Sequence, residues 1–210
     1  MEREIAQSLL KIGAVFLRPD APFTWASGIK SPVYCDNRLT LSYPEVRTQI
    51  AEGLAATVRR HYPGCAGLFG TATAGIAHAA ITAHIMALPM GYVRAGEKDH
   101  GRGGKVEGRV TPGQKVVVVE DLISTAGSAV DSVATLRAAG AEVLGVVSIF
   151  TYGMAKGVAR LAEAGVENHS LCTFDTLAAV AAEGGYIPEA DIARLMAFRD
   201  APEDDGWRRL

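Results

Sequence analysis

The sequence is poor in cysteine, in unbalanced charge and in long apolar runs. Its three cysteines, Cys35, Cys65 and Cys172, are an odd number at wide spacing. No disulfide framework and no CxxC metal knuckle can be read from them, which points to a reducing compartment. Lys and Arg total 21 against 23 Asp and Glu, a net charge of -2. That balance argues against a strongly basic nucleic-acid binder. The longest apolar-looking stretch, residues 76–93, is broken by His78, Thr82, His84 and Pro89 and falls short of a membrane span. Met1-Glu-Arg-Glu-Ile5 carries acids where a signal peptide has a basic region. The expected address is the cytoplasm, with neither nucleic acid nor membrane as partner. There is no GxxxxGK[ST] loop, no GxGxxG after a strand and no HExxH or other metal-ligand spacing.

What is present fits one folded unit. The chain has 210 residues, 49% apolar and 21% charged, enough for a full core. Ile5, Leu9 and Ile12 predict a helix over residues 4–15. Residues 19–40, with Pro19, Pro22, Gly28 and Pro32, read as loop and short strands without a helix. Ser42-Tyr-Pro-Glu45 reads as a capping box opening a helix that carries Val46, Ile50, Leu54 and Val58. Strands then alternate with helices. Strands are expected at 66–69, 90–93, 116–119, 142–150 and 167–173. Helices are expected up to about 87, at 124–139, at 156–164, from a cap at Asp175 to 183, and after Pro188. The tail from Asp200 reads as frayed. Apolar strands alternating with helices imply an α/β fold with a central parallel sheet covered on both faces. Residues 1–40 stand outside the alternation and are expected to form a small N-terminal hood. Residues 41–210 form the core of the same structural unit.

The strongest chemical signal follows the four valines at 116–119: Glu120-Asp-Leu-Ile-Ser-Thr-Ala-Gly-Ser128. An apolar strand delivers two adjacent carboxylates, and a turn of hydroxyl and small residues then enters a helix. Backbone N–H groups at such a helix start suit a phosphate. Carboxylates beside them suit sugar hydroxyls or a developing positive charge. A sugar phosphate reacting at its anomeric carbon presents both. Arg94, Lys98, His100, Arg102 and Lys105 lie in a glycine-rich stretch with little apolar content, suited to closing over a polyanion. Gly70-Thr-Ala-Thr-Ala-Gly75 lets backbone approach a ligand closely. Ser27, Lys30, Ser31 and Tyr34 offer hydroxyls, a cation and an aromatic ring for a planar anionic base. His61, His78, His84 and His169 read as structural, on helix surfaces or a strand end.

The stretch at 116–128 resembles the thirteen-residue signature of phosphoribosyltransferases that use phosphoribosyl pyrophosphate (PRPP). Pro22-Phe-Thr-Trp-Ala-Ser-Gly-Ile-Lys-Ser-Pro-Val-Tyr-Cys-Asp-Asn-Arg38 resembles the base-binding loop of the orotate phosphoribosyltransferases. Gly70–Gly75 is similar to their pyrophosphate-facing loop. Tyr92-Val-Arg-Ala-Gly-Glu-Lys-Asp-His-Gly101 is similar to their catalytic loop, with its Arg…Lys-x-His-Gly pattern.

The resemblance implies a type I phosphoribosyltransferase fold. It also implies transfer of the phosphoribosyl group of PRPP to orotate in pyrimidine synthesis. It makes Glu120, Asp121, Lys98 and His100 catalytic. PRPP would be bound by Arg94, Lys98, His100, Thr73, Ala74, Glu120, Asp121, Leu122, Ile123, Ser124, Thr125, Ala126, Gly127 and Ser128. Orotate would be bound by Ser124, Lys30 and Tyr34. Mg2+ would come with the PRPP phosphates. A homodimer would share the lid across its interface, and residues 95–108 would become ordered with PRPP and magnesium. The chain has Ala26, Ala74 and Ala95 where some members carry lysine, and Phe150-Thr-Tyr-Gly-Met154 where some carry an arginine. A purine-specific relative would share residues 120–128 but not 23–38. A PRPP sensor acting on transcription would need a basic face that a net charge of -2 does not supply.

Overall fold

The computed structural model describes residues 1–25, 28–96 and 104–210. Helix α1 (Glu2–Lys11) leads into four short strands, β1 (Val15–Leu17), β2 (Phe23–Thr24), β3 (Lys30–Ser31) and β4 (Val33–Cys35). β1 pairs antiparallel with β4, and β2 with β3, as two separate ribbons. A 3-10 turn at Asn37–Ser42 follows, and then α2 (Pro44–His61). Pro44 stands in the first turn, as expected. Ser42 is not the cap: Tyr43 holds that position, and no side chain caps the helix. Ser42 instead ends the 3-10 turn.

The main sheet uses β5 (Leu68–Thr71), β6 (Met90–Val93), β7 (Val106–Glu107), β8 (Lys115–Ile123), β9 (Glu142–Thr151) and β10 (Asn168–Thr173). Among the described residues the order is β10-β9-β8-β5-β6-β7, all parallel except β7, which runs antiparallel to β6. The connecting helices are α3 (Ala74–Met86), α4 (Gly127–Ala138), α5 (Ala155–Glu163), α6 (Phe174–Glu183) and α7 (Asp191–Asp200). Strand alternation sends Val117 and Val119 to one face, where they join Ala79 and Ala83 of α3 and Leu177 of α6. It sends Val116 and Val118 to the other, against Ala129, Val133 and Leu136 of α4 and Leu161 of α5. Ile5, Leu9, Val15 and Val33 belong to the first of these cores. After β5 the chain moves to β6 on one side and then returns to β8 on the other. The strand order therefore switches between β5 and β8, where open α/β sheets bind ligands.

Three local expectations are corrected. The helix expected at Ser124 begins at Gly127, because Ala126 is left-handed at φ 59° and leaves 124–126 as a turn. Thr173 rather than Asp175 caps α6, its hydroxyl accepting from the Thr176 N–H at 3.3 Å. The tail is not frayed: Asp205–Arg209 forms a 3-10 turn that buries Trp207 edge-on against Phe198, with ring centroids 5.9 Å apart. A single aromatic side chain repays the ordering of an otherwise charged segment.

His78 is buried inside α3 packing and is not on a helix surface. Its Nε2 and the Thr82 hydroxyl one turn on have no hydrogen-bond partner among the described residues. Burial lowers the His78 pKa from 6.5 to about 4. The unfolded chain thus binds a proton that the folded chain refuses, and stability is lost as pH falls below 6.5. Unfolding free energy in urea is expected to drop by about 2.5 kcal/mol between pH 7.5 and pH 4.5 relative to His78→Leu. Parallel pH profiles for the two proteins would exclude this role. His169 stacks on His61 with ring centroids 3.7 Å apart.

Candidate active site

The two carboxylates lie where β8 loses one neighbour and keeps the other. β5 pairs with β8 only as far as Gly70 opposite Val119. β9 continues alongside to Ile123 opposite Thr151. The strand expected to end at 119 therefore runs four residues further, with Glu120 and Asp121 on its one-sided extension. β5 has turned away there into α3, whose first turn crosses β8 closely. A Cβ on Gly75 would lie 2.4 Å from the Val119 carbonyl oxygen, so only glycine permits the crossing.

Glu120 is 6% exposed. Its Oε1 accepts from the Asp121 N–H at 3.0 Å, and its carboxyl also bonds the Thr71 hydroxyl. Thr71 in turn accepts from the Ser132 hydroxyl of α4 at 3.3 Å. Burial, reinforced by the neighbouring Asp121 charge, pushes the Glu120 carboxyl well above the ordinary carboxylate range. Burial also raises Asp121. Two adjacent, partly desolvated acids resist carrying two charges. Hydroxyl donors or a positive centre arriving beside them relieves that cost. The Asp121 carbonyl accepts from Asn37 Nδ2 at 2.7 Å, joining the N-terminal segment to β8. Asn37 was not among the expected site residues. It lies inside the 22–38 segment, but no local pattern marks it, because its partner is 84 positions away.

The turn at 124–128 adjoins the acids. Ser124 and Thr125 are half-buried, Ala126 is buried and Ser128 is exposed at the start of α4. Helix geometry leaves the first N–H groups of α4 without intrahelical acceptors. Thr73 precedes α3 and is exposed, Ala74 is its first residue, and the Ala72–Thr73 peptide is cis. Arg94 follows β6 and pairs with Glu107 at 3.4 Å. Thr71, Arg94, Lys105, Ser128 and Ser132 line one small cavity of about 220 Å³. The structure thus brings 120–128, 73–74 and 94 to one sheet edge.

A larger cavity of about 780 Å³ shares Ser124 and Thr125 with that edge. The hood side of its wall is Trp25 and Ile29, and its cations are Lys156 and Arg199. Arg199 is paired with Asp175 and with Asp200, and Asp200, Glu203 and Asp204 line the same cavity. Trp25 is fixed edge-on between Tyr152 at 5.8 Å and Phe198 at 5.7 Å. Lys30 and Tyr34 are placed elsewhere on the hood. Lys30 Nζ donates to the Thr24 hydroxyl at 2.6 Å, and the Tyr34 ring lies 5.5 Å from Phe23. Lys98 and His100 lie outside the described residues, as do 97–103 as a whole, half of the 95–108 stretch; its other end is not loop, since Val106–Glu107 form β7 against β6.

A phosphoribosyl transferase domain model matches residues 47–183. The chain is similar to the orotate phosphoribosyltransferase of Bacillus cytotoxicus, 56% identical over 207 residues and covering 99% of each chain. The solved orotate phosphoribosyltransferase of Aeropyrum pernix is similar in structure, with a TM-score of 0.75 and 32% identity. That match covers 87% of this chain and 99% of the other. Leishmania donovani UMP synthase gives a TM-score of 0.80 at 27% identity, over 94% of this chain and 42% of that one. Likeness in sequence along the whole chain and in fold along most of it agree, and the chain belongs to the phosphoribosyl transferase domain family and, within it, to the orotate phosphoribosyltransferases.

Proposed function

We propose that this chain transfers the phosphoribosyl group of PRPP to orotate, giving orotidine 5′-phosphate and pyrophosphate in the synthesis of UMP. The observation that carries the reading is the pair of acids on the one-sided end of β8, Glu120 buried and Asp121 half-buried, shortly before the 124–128 turn. A diol and a phosphate on one ribose would engage both at once. Glu120 and Asp121 bind the ribose hydroxyls, and Asp121 stabilises the positive charge that develops at the ring as the anomeric bond breaks. Residues 124–128 hold the 5′-phosphate. Thr73, Ala74 and Arg94 face the diphosphate. Lys98 and His100 stabilise the departing pyrophosphate, with His100 a candidate proton donor. Residues 1–40 supply base recognition above a core formed by 41–210, with Trp25 and Ile29 beside Ser124 and with Lys30 and Tyr34 on the adjoining ribbons, to be brought in with the base.

Among the described residues no group of three His, Cys, Asp or Glu side chains is arranged to hold a metal ion. The hard oxygens of Glu120 and Asp121 fit Mg2+ that takes most of its ligands from phosphate and ribose. Bound there, Mg2+ would neutralise diphosphate charge.

A homodimer with composite sites is part of this reading. Its support is the outer side of α3, where Ile81 is half-buried and Ile85 is 38% exposed beside His84. Apolar side chains on an outer face call for cover. No helix among the described residues is long and apolar enough to cross a membrane. Cys35, Cys65 and Cys172 are all free thiols, which supports a reducing cytoplasmic setting.

The test is ultraviolet monitoring of orotate consumption with PRPP and magnesium, beside a panel of purine bases. Orotate-dependent turnover that exceeds every purine supports the reading. Turnover with a purine alone would reassign the base, and none with any base would reject the enzyme.

A further inference from the structure

The turn at 124–126 is supported from behind by α5. Arg160 on α5 donates Nη1 to the Thr125 carbonyl at 3.1 Å. A Cβ on Gly127 would lie 3.5 Å from the same nitrogen, so the guanidinium sits beneath the first turn of α4. One turn earlier on α5, Gly157 approaches so closely that a Cβ would lie 2.3 Å from the Ser124 carbonyl oxygen. Both carbonyls therefore face α5. In a planar trans peptide the N–H points opposite to the C=O. The Thr125 and Ala126 N–H groups accordingly point away from α5, and neither has a backbone acceptor among the described residues. Arg160 is half-buried. It takes part in no ion pair among the described residues. Arg137, by contrast, serves the carbonyls of Ala164 and Gly165 after α5, an ordinary helix-end role.

We propose that Arg160 is the positioning residue of this turn: by holding the Thr125 carbonyl it aims the Ala126 N–H outward and leaves an unneutralised positive charge behind the bound phosphate of a sugar phosphate. The inference rests on reading 124–128 as the 5′-phosphate site. It assigns Arg160 no contact with substrate. Two successive N–H groups fixed in this way form an anion-binding concavity, and the charge behind them deepens it. Gly157 is the second half of the device, because any side chain there would push the Ser124 carbonyl away from α5.

The experiment measures binding of ribose 5-phosphate, and separately of magnesium pyrophosphate, by calorimetry on the full chain. Arg160→Met is expected to weaken ribose 5-phosphate about tenfold, the scale of a charge-assisted hydrogen bond, and to leave pyrophosphate unchanged. Arg160→Lys, which keeps the charge with one donor, is expected to restore most of the loss. Unchanged ribose 5-phosphate affinity in folded Arg160→Met overturns the proposal, and so does an equal loss for both ligands. If Arg160→Met does not fold, Arg160→Gln carries the same comparison. The double variant Thr125→Val, Ser128→Ala separates the two layers. Unchanged ribose 5-phosphate binding there overturns the phosphate reading itself. Weakened binding there beside unchanged binding in Arg160→Met overturns only the role of Arg160.

Discussion

Asp121→Asn is expected to keep the fold and cut turnover by roughly two to four decades, the scale of losing one key electrostatic contact at a reacting centre. Asparagine is nearly isosteric, and the structural work at this position is done by the backbone. The Asp121 carbonyl still accepts from Asn37, and its N–H still donates to Glu120. What is lost is the negative charge that the proposed role places beside the anomeric carbon. That charge is costly in the free protein, since burial raises the Asp121 carboxyl above its ordinary range. A site that holds an anion against its own desolvation gains most when a cationic centre forms there. Thermal midpoints within a few degrees of each other, with steady-state turnover on orotate and PRPP, complete the measurement. Near-normal turnover in a well-folded Asp121→Asn protein would remove Asp121 from the chemistry.

The second large effect is recovery of activity by mixing two dead proteins. If Lys98 acts at the partner's site, a dimer of Asp121→Asn with Lys98→Ala has one site with both lesions and one with neither. Random reassortment of equal amounts puts about half the chains in such mixed dimers. About a quarter of wild-type activity should then return, from two preparations each nearly inactive. β7 pairs with β6 and the Arg94 N–H donates to the Lys105 carbonyl at 2.8 Å, so the loop between them is anchored at both ends and, with about ten residues, reaches roughly 15 Å out and back. Ile81 and the exposed Ile85 of α3 give the second subunit an apolar patch to cover. No recovery after proven subunit exchange would assign Lys98 to its own chain's site.

Most of the site was legible because it is contiguous. Four valines announce β8, and the acids and the turn follow within nine residues. The helices were legible because Ile50, Leu54 and Val58, or Val133 and Leu136, repeat on the buried face. What escaped is set by distance along the chain. Asn37 meets Asp121 through a bond that spans 84 positions. Arg160 reaches Thr125 across 35. The extension of β8 past Val119 depends on β9 alone. The start of α4 was misjudged because nothing in Ser124-Thr-Ala-Gly127 signals a left-handed alanine. Trp207 sits in a charged tail whose partner, Phe198, becomes its neighbour only through packing.

The Asn37–Asp121 bond also bears on how such a protein could be re-engineered. The segment that would read the base and the strand that would handle the sugar are different pieces of chain, and this amide joins them at a main-chain carbonyl. A carbonyl is indifferent to the side chain beside it. The joint therefore survives substitution of the acid but not loss of the amide donor. A recognition loop grafted from a relative of different base preference can vary at the exposed positions of 22–36 while keeping the packed Trp25, Ser31 and Val33. It has to return an amide donor at position 37, or the graft will settle on the sheet without a fixed register to the acids.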